Sequence, residues 1–358
     1  MKIKQFLKDK YPVFLIFIVI IGLLIWNPYK RLATQIKNND QKEGSVLSEE
    51  FKFHRIIDGK GVNDEKEVMP ELVAVMIENS SDAWPLSGLE NASIVYEALS
   101  EGRIPRFLTI FPITDLPDEV GPVRSARPYY VQIAKSFDAL YAHVGGSPDG
   151  LALIKQIGLE DFNEFYNGQY FWRDEIGRFA PHNVYTSKDL ILNKYREGVQ
   201  KEKKYSWVSF ENLKSDESKF ILPYDVIVNY TPSTYQAKYV YDPAIKKYQR
   251  YQAKEPLITR EEAKVFVDNV VIEEHPHQVL DSVGRRSIEL SGKGRVWVFR
   301  NGEMVEGSWT RETSTSPVKY LDLNSTEIKF MPGTTWVNLV EVDSFTPPTI
   351  IIQENSTK

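Results

Sequence analysis

An uncharged apolar run near the N-terminus constrains this 358-residue chain more than any other feature. Between Tyr11 and Tyr29 no side chain is charged, and the middle of the run is mostly Ile, Leu and Phe. A helix needs about 20 apolar residues to cross the hydrocarbon core of a bilayer, and this run is close to that length. The sequence therefore predicts an N-terminal transmembrane helix, with residues 1–29 forming a cytoplasmic tip and a membrane anchor.

Basic residues in front of the apolar run indicate how this anchor is oriented. Lys2, Lys4, Lys8 and Lys10 precede it, and basic residues next to a transmembrane helix are usually retained in the cytoplasm. A cleaved signal peptide is the alternative, although no small-x-small cleavage site follows the run. We expect a single-pass protein of the cell membrane whose C-terminal domains are extracytoplasmic.

Composition divides the remainder of the chain into a linker and two folded domains. Residues 30–65 are polar and poor in large apolar side chains, which is typical of a stalk. The whole chain is 42% hydrophobic and 12% aromatic, enough to build two cores in residues 66–215 and 216–352. A charged segment at residues 212–219 marks the boundary between the two predicted domains.

Predicted strands and helices alternate within residues 66–215. Short apolar runs at 72–79 and 139–146 are typical of buried strands. Proline in a first turn and serine at a capping position favour helices. These helices are predicted at residues 128–137, from Ser147 onward, and at about 188–197. The alternation indicates an α/β-type mixed domain.

Residues 216–352 consist of β-rich runs interrupted by Gly, Pro, Asn and Asp. The clearest local signal is Asn301-Gly302, which lies between two such runs and is typical of a hairpin turn, because both central residues need a positive φ. This part of the chain is predicted to be mostly antiparallel β. The predicted fold class is therefore α+β, with an N-terminal transmembrane helix, an α/β-type mixed domain and a mostly antiparallel β domain.

Several separated blocks of the sequence are similar to one protein family. The segments GPVRSARPYY, YAHVGGSP and APHNVYTS, followed by VFRNG…VEGSW and PGTTWVNLV, resemble those of the YerB-like lipoproteins of Gram-positive bacteria. The resemblance covers nearly all of the predicted extracytoplasmic part. It implies a cell-envelope location and two domains of unknown function. Because the chain has no cysteine, the predicted transmembrane helix takes the place of that family's lipid-bearing cysteine.

Four arginines lie close to predicted tight turns, in the segments GRIPRF and GPVRSARPYY. Guanidinium groups present a rigid fork of donors that matches phosphate and carboxylate oxygens. A helix that starts after the second segment adds free backbone N–H groups and a favourable dipole. The pattern predicts an anion-binding pocket formed by Arg103, Arg106, Arg124 and Arg127. The alternative is a set of surface or interdomain salt bridges with Glu97, Asp115, Asp118 and Glu119.

Five further polar residues are candidates for the same ligand-binding cleft. His143 lies at the end of a predicted strand, where it could act as a general acid or base or bind an anion. The alternative is a structural histidine that is hydrogen-bonded to a backbone carbonyl. Asp149 follows at a helix start, and a later polar and aromatic stretch contributes Arg173, His182 and Asn183.

Signals for a metal, a cofactor or a nucleic acid are lacking in the sequence. His275 and His277 lie near Glu273, but no third ligand is indicated, and a solvated loop is the favoured interpretation. Neither a Walker loop nor a dinucleotide fingerprint occurs. The formal net charge of −5 gives no electrostatic footprint for nucleic acid. We expect no cofactor, no metal and no nucleic-acid partner.

Two functions of different classes are compatible with these observations. The first is a non-catalytic envelope module that binds an anionic wall polymer or a partner protein. The second is an enzyme acting on an anionic cell-wall polymer or a lipid-linked precursor, by a distant analogy with the LytR-type phosphotransferases. We favour the first, because it requires only the clustered arginines, the aromatic residues and the membrane tether.

Overall fold

The computed structural model of the protein describes residues 51–198, 204–213, 225–230 and 232–348. Within these ranges the chain forms twenty-one β-strands and three α-helices. The helices are α1 (Pro128–Ser136), α2 (Pro148–Gln156) and α3 (Lys188–Glu197). The strands are β1 (Phe53–His54), β2 (Gly61–Val62), β3 (Leu72–Ile77), β4 (Ile94–Leu99), β5 (Pro105–Pro112), β6 (Leu140–His143), β7 (Glu160–Asn163), β8 (Trp172–Arg173), β9 (Val184–Tyr185), β10 (Asp225–Val228), β11 (Ala237–Asp242), β12 (Lys247–Gln252), β13 (Glu255–Pro256), β14 (Phe266–Val267), β15 (Asn269–His275), β16 (His277–Val279), β17 (Arg286–Ile288), β18 (Gly292–Arg300), β19 (Glu303–Arg311), β20 (Lys319–Asp322) and β21 (Thr335–Glu341).

A mixed sheet of ten strands, in the order β20-β19-β18-β15-β21-β4-β5-β3-β6-β7, forms the centre of the fold. All six side chains of β3 are buried, as expected of a strand that is covered on both faces. Strands β3, β4, β6 and β7 run in the same direction, and β5 runs against them. The loops after these four strands, and the turn before β5, therefore emerge together at what we term the carboxyl edge of the sheet.

Different elements cover the two faces of the ten-stranded sheet. One face packs against a five-stranded sheet of β10 to β14, where the ring of Tyr239 lies 6.3 Å from that of Trp336. The other face packs against α1 and the residue that follows it, Phe137, whose ring lies 6.3 Å from that of Tyr96. Both faces are therefore closed by apolar and aromatic contacts.

Strands from both predicted domains contribute to the ten-stranded sheet. Strand β21, near the end of the described chain, lies between β15 and β4 and is parallel to both. Residues 66–215 and 216–352 thus share one continuous sheet. The segment that was predicted to be mostly antiparallel contains this parallel β15–β21 pair at its centre.

A buried ion pair lies next to the junction of β4 and β21. Glu97 in β4 and Arg250 in β12 are both fully buried, and Nη2 of Arg250 is 3.1 Å from each carboxylate oxygen. Trp336 in β21 donates from Nε1 to the same carboxylate at 2.8 Å. The Arg250 guanidinium also lies over the rings of Tyr239 and Trp336, at 5.2 and 5.3 Å. This pair therefore joins the ten-stranded sheet to the five-stranded sheet.

The fold class predicted from the sequence is wrong. The described part of the chain is mostly β, with mixed sheets and three short helices. None of its helices is long and apolar enough to cross a membrane. The apolar run at residues 11–29, on which the predicted transmembrane helix rests, lies outside the described residues. The mixed sheet was not predictable for a physical reason: a short apolar run indicates a strand but does not specify the strand with which it pairs.

Residues 51–65, the described end of the predicted stalk (residues 30–65), are folded. Strands β1 and β2 pair there, and Ile57 between them is fully buried. Arg55 donates to Asp58 at 2.6 and 3.0 Å and to Asp115 at 2.8 Å. These ion pairs allow a polar segment to pack against the core, because the buried charges are compensated.

Removal of one member of the Glu97–Arg250 pair is expected to destabilise the fold strongly. Glu97→Ala leaves a buried guanidinium without its carboxylate, which typically costs about 3–5 kcal/mol of unfolding free energy. The exposed pair of Glu327 and Lys329 offers a control, because Glu327→Ala should cost about 1 kcal/mol or less. Urea unfolding of both variants and the wild type measures the difference. Similar small losses in the two variants would contradict the role assigned to Glu97.

Candidate functional site

Three of the predicted arginines meet at the carboxyl edge of the sheet. Arg106 is the second residue of β5, and Arg124 and Arg127 lie on the segment that leads into α1. Glu101, in the turn between β4 and β5, pairs with Arg127 and with Arg106, whose Nη2 lies 3.1 Å from Oε2. One carboxylate therefore holds two guanidinium groups side by side.

The third arginine, Arg124, pairs with Glu78, the residue directly after β3. Glu78 is only 2% exposed, and Nδ1 of His182 lies 3.2 Å from its Oε2. Nη1 of Arg124 donates to the backbone oxygen of Pro181 at 3.2 Å. The arginine cluster, as we use the term, consists of Arg106, Arg124 and Arg127 with the two carboxylates of Glu78 and Glu101.

Positive charge exceeds negative charge within the arginine cluster. Burial alone raises the pKa of Glu101, but the hydrogen bond from Arg127 and the charges of Arg106 and Arg127 lower it to about 2. Burial lowers the pKa of Arg124, and although Glu78 raises it, the charges of Arg106 and Arg127 add to the lowering. Three guanidinium groups share two carboxylates, so one further anion would be electrostatically favourable here.

One donor of the cluster is buried without a partner. Nη1 of Arg106 is inaccessible to solvent and donates to no acceptor in the described parts of the chain. The whole residue is only 7% exposed. A buried donor that lacks an acceptor carries a desolvation penalty of about 1–3 kcal/mol or more when it is charged. An anion that placed an oxygen beside this nitrogen would relieve that penalty.

The carboxylates that pair with these arginines are not the ones expected from the sequence. Glu97, Asp115 and Glu119 instead pair with Arg250, Arg55 and Arg260. Sequence reasoning missed Glu78 and Glu101, although each had a positional signal. Glu78 directly follows a buried strand, and Glu101 precedes a glycine in the turn between two apolar strands. Such loop positions at strand ends commonly carry functional groups.

His143, the last residue of β6, is fully buried beside the cluster. Its Nδ1 lies 2.7 Å from the backbone oxygen of Gly145, and its Nε2 lies 2.8 Å from Oδ1 of Asp161. The imidazole also stacks on Tyr141. Because both ring nitrogens are engaged, the geometry favours the structural interpretation of His143 over an acid-base role.

Arg103 and Asp149 are exposed residues near the cluster. Arg103 follows Glu101 by two residues, has a φ of +60°, and forms no ion pair with another described residue. Arg285, in the turn between β16 and β17, has a raised pKa, mainly because of its hydrogen bond with Asp281. The charges of Asp149 and Glu101 contribute to the same shift. The β16–β17 hairpin from the C-terminal half therefore approaches the arginine cluster.

Arg173 and Asn183 form a contact of their own. Nη1 of Arg173 donates to Oδ1 of Asn183 at 3.2 Å, and Nη2 lies 3.4 Å from Oε1 of Glu164. Within the described ranges no hydrogen bond joins this pair to the arginines of the cluster. His182 differs, since it contacts Glu78 and therefore borders the cluster.

The segment from His275 to His277 is folded, contrary to the solvated loop expected from the sequence. His275 is fully buried, with Nε2 2.8 Å from Glu273 and Nδ1 2.7 Å from the backbone oxygen of Glu289. Burial, with smaller contributions from nearby positive charges, lowers the pKa of His277 to about 3. In the part of the chain that the structure describes, no group of three or more His, Cys, Asp or Glu residues is arranged to hold a metal ion.

An open pocket of about 790 Å³ lies apart from the cluster. It is lined by residues 84–86, 233, 234, 236 and 252–258, which belong to the five-stranded sheet and the loops beside it. Trp84 forms part of its wall, and its ring contacts Tyr235 edge-on at 6.0 Å. Because none of the clustered arginines lines this pocket, we treat it as separate from the candidate site.

Two family models match the chain along most of its described length. The N-terminal domain of a protein of unknown function (DUF3048) matches residues 59–203, and the C-terminal domain of the same family matches residues 226–337. The chain belongs to the DUF3048 family. No activity is attached to either DUF3048 domain by these descriptions.

Similar proteins place this DUF3048 chain close to YerB of Bacillus subtilis. A protein of strain 168 described as "Putative lipoprotein YerB" is 35% identical over 274 residues, which cover 75% of this chain and 80% of that protein. The crystal structure of the YerB protein from Bacillus subtilis matches with a TM-score of 0.73 at 32% identity. That match covers 82% of this chain and 99% of the solved chain. The predicted resemblance to the YerB-like family is confirmed.

The low pKa of Glu101 should make the stability of this DUF3048 chain depend on pH. The carboxyl has a pKa of 4.5 when unperturbed and about 2 in the folded state, so its stabilising contribution is complete above pH 4.5 and is lost as the pH falls towards 2. Glu101→Gln should lower the free energy of unfolding by up to about 3 kcal/mol at pH 7. Urea unfolding at pH 7, 4 and 3 should show that the difference in unfolding free energy between the variant and the wild type becomes smaller as the pH falls. A difference that stays constant over this range would contradict the assignment.

Proposed function

We propose that this protein is an extracytoplasmic cell-envelope protein that binds an anionic wall component, or an anionic envelope partner, through its arginine cluster. Similarity to a Bacillus subtilis protein described as a "Putative lipoprotein" supports the location. The arginine cluster supports the ligand chemistry, because its three guanidinium groups face only two carboxylates.

The observation that carries the proposal is the unpartnered Nη1 of Arg106. This nitrogen is buried and charged, yet no described acceptor contacts it. Buried polar groups in folded proteins are nearly always hydrogen-bonded, and an exception calls for an explanation. A phosphate or carboxylate oxygen is the acceptor that best matches a guanidinium fork. We infer that the ligand supplies this oxygen.

The position of the cluster agrees with a binding role. Glu78 directly follows β3, and Glu101 lies in the turn after β4, so both carboxylates orient the arginines at the carboxyl edge of the sheet. Ligands of open sheets with parallel strands commonly bind outside these strand ends. Arg103 extends the positive surface beyond the buried cluster, because its side chain is exposed.

The burial of His143 and the contacts of its ring nitrogens favour a binding role over catalysis. A general acid or base must reach the proton that it transfers. His143 is fully buried, with both ring nitrogens within hydrogen-bond distance of Gly145 and Asp161. The cluster itself consists of three guanidinium groups and two carboxylates, and its excess of positive charge is suited to holding an anion.

Substitution of Arg106 and Arg103 tests the proposed anion site. Arg106→Lys keeps the charge but loses the bidentate fork, so affinity for an anion should fall by about tenfold or more. Arg103→Ala should weaken binding severalfold without a loss of stability, because Arg103 is exposed and unpaired among the described residues. Calorimetric titration of the full-length protein with phosphate, pyrophosphate and citrate measures affinity, and thermal unfolding measures stability.

Arg196→Ala serves as the matched control, because Arg196 is exposed on α3 and contacts Asn193. It should leave the affinity for each anion unchanged. If the wild type bound none of the three anions, nor purified anionic wall fragments, the proposed function would be rejected. Unchanged affinity in both Arg106→Lys and Arg103→Ala would make these arginines structural.

A further inference from the structure

Exposed apolar side chains flank the arginine cluster on two sides. Fourteen large hydrophobic residues are exposed in the described parts of the chain, and half of them lie on only two segments, 165–179 and 279–283. Soluble proteins rarely expose such groups together unless they contact a partner or ligand. The seven residues are Phe165, Tyr166, Ile176, Phe179, Val279, Leu280 and Val283.

Phe165 lies directly beside the segment that carries the arginines. Its ring rests against Gly145, close enough that a side chain at that position would collide with it. The backbone oxygen of Gly145 accepts a hydrogen bond at 3.0 Å from the N–H of Ala126, which precedes Arg127. Although Phe165 makes this contact, 66% of its surface is exposed. An apolar surface therefore begins at the border of the cluster.

Phe179 belongs to the turn that contacts the other end of the cluster. The backbone N–H of His182 donates to the oxygen of Phe179 at 2.8 Å, which closes the turn. The same turn provides the Pro181 oxygen that binds Arg124 and the His182 ring that contacts Glu78. The Phe179 side chain is 80% exposed. It is thus held near the arginines without being packed into the core.

The second flank is the turn of the β16–β17 hairpin. A side chain added at Gly284 would lie 3.5 Å from the backbone nitrogen of Gly102, so the hairpin turn lies over the turn that holds Glu101. Val283, adjacent to Gly284, is 67% exposed. The C-terminal half of the chain thereby places apolar groups on the far side of the cluster.

Charges on the two flanks distinguish a single ligand from a membrane surface. Residues 165–179 contain two acidic and two basic side chains, and residues 279–283 contain one acidic side chain and no basic one. An anionic bilayer attracts segments with an excess of Lys and Arg, which these flanks lack. The excess of positive charge is confined to the cluster between them, which suits one anionic head group with apolar chains beside it.

We propose that the site binds a single anionic amphiphile, a lipid phosphate, with its phosphate in the arginine cluster and its chains against the two apolar flanks. The position of the head group rests on the proposed function, whereas the apolar part of the ligand is new. Burial of chain methylenes against Phe165 and Phe179 adds affinity that a free phosphate ester cannot gain.

Short-chain lipids that remain monomeric distinguish the contribution of the phosphate head group to affinity from that of the chains. Dihexanoyl phosphatidic acid should bind the full-length protein about tenfold or more tightly than glycerol 3-phosphate, which is the head group alone. Dihexanoyl phosphatidylcholine, which has the same chains but no net charge, should bind more weakly than the phosphatidic acid. Calorimetric titration measures all three affinities.

Variants of the two exposed phenylalanines test whether the apolar flanks provide the additional affinity for the phosphatidic acid. Phe165→Ser and Phe179→Ser should each lower the affinity for the phosphatidic acid by about fivefold and leave that for glycerol 3-phosphate unchanged. Arg106→Lys should lower the affinity for both the phosphatidic acid and glycerol 3-phosphate. Leu323→Ser is the matched control, because Leu323 is 77% exposed in the turn after β20, at the opposite end of the strand order. Thermal unfolding should show that all three serine variants remain folded.

The outcomes separate failure of this inference from failure of the proposed function. Equal affinity of the wild type for phosphatidic acid and glycerol 3-phosphate would overturn the amphiphile while keeping the anion site. Absence of binding to both would overturn the anion site as well. Co-sedimentation with phosphatidic acid vesicles, without tighter binding of the monomeric lipid than of glycerol 3-phosphate, would overturn the single-lipid site in favour of docking on a bilayer.

Discussion

The parallel pairing of β4 with β21 is the constraint on which the rest of the structure depends. Glu97 and Trp336, which meet at this pairing, are 239 residues apart in the sequence. A parallel pair cannot be closed by a short hairpin, so the chain between the two strands must cross over to bring them side by side. The carboxylate that becomes buried there is compensated by Arg250 from a third strand. The pairing of β4 with β21 therefore occurs together with compensation of the buried Glu97 charge by Arg250.

The candidate site lies beyond the end of β4, one of the two strands of this pair. Glu101 lies two residues beyond β4, and Arg106 is the second residue of β5, so their separation is set by the turn between two paired strands. Strand β15, on the other side of β21, leads into the hairpin whose Gly284 lies against Gly102. The arginine cluster itself is formed within residues 66–215. The C-terminal half adds the hairpin turn that lies beside it, and with that turn the second apolar flank.

Short-range signals in the sequence predicted individual elements well. The buried run at 72–77, the helix beginning at Pro128 and the helix capped by Ser147 all form where the sequence indicates. The Asn301-Gly302 turn also forms, with φ values of +48° and +76°. Each of these depends on neighbouring residues only. The pairing of β21 with β4 depends on distant residues, and no local pattern specifies it, which is why the sequence did not indicate the continuous ten-stranded sheet.

The same distinction explains which parts of the candidate site were predictable. Residue type and proximity to turns identified Arg106, Arg124 and Arg127, because guanidinium groups near strand ends carry a chemical signal of their own. The exposure of Phe165 and Phe179 carries no such signal, since an aromatic residue in a sequence is most simply interpreted as part of a core. Only the fold shows that these two rings stay at the surface beside a guanidinium whose Nη1 is buried without an acceptor among the described residues. The apolar flanks and the unsatisfied donor are each unfavourable in the unliganded protein, and one amphiphilic ligand would satisfy both.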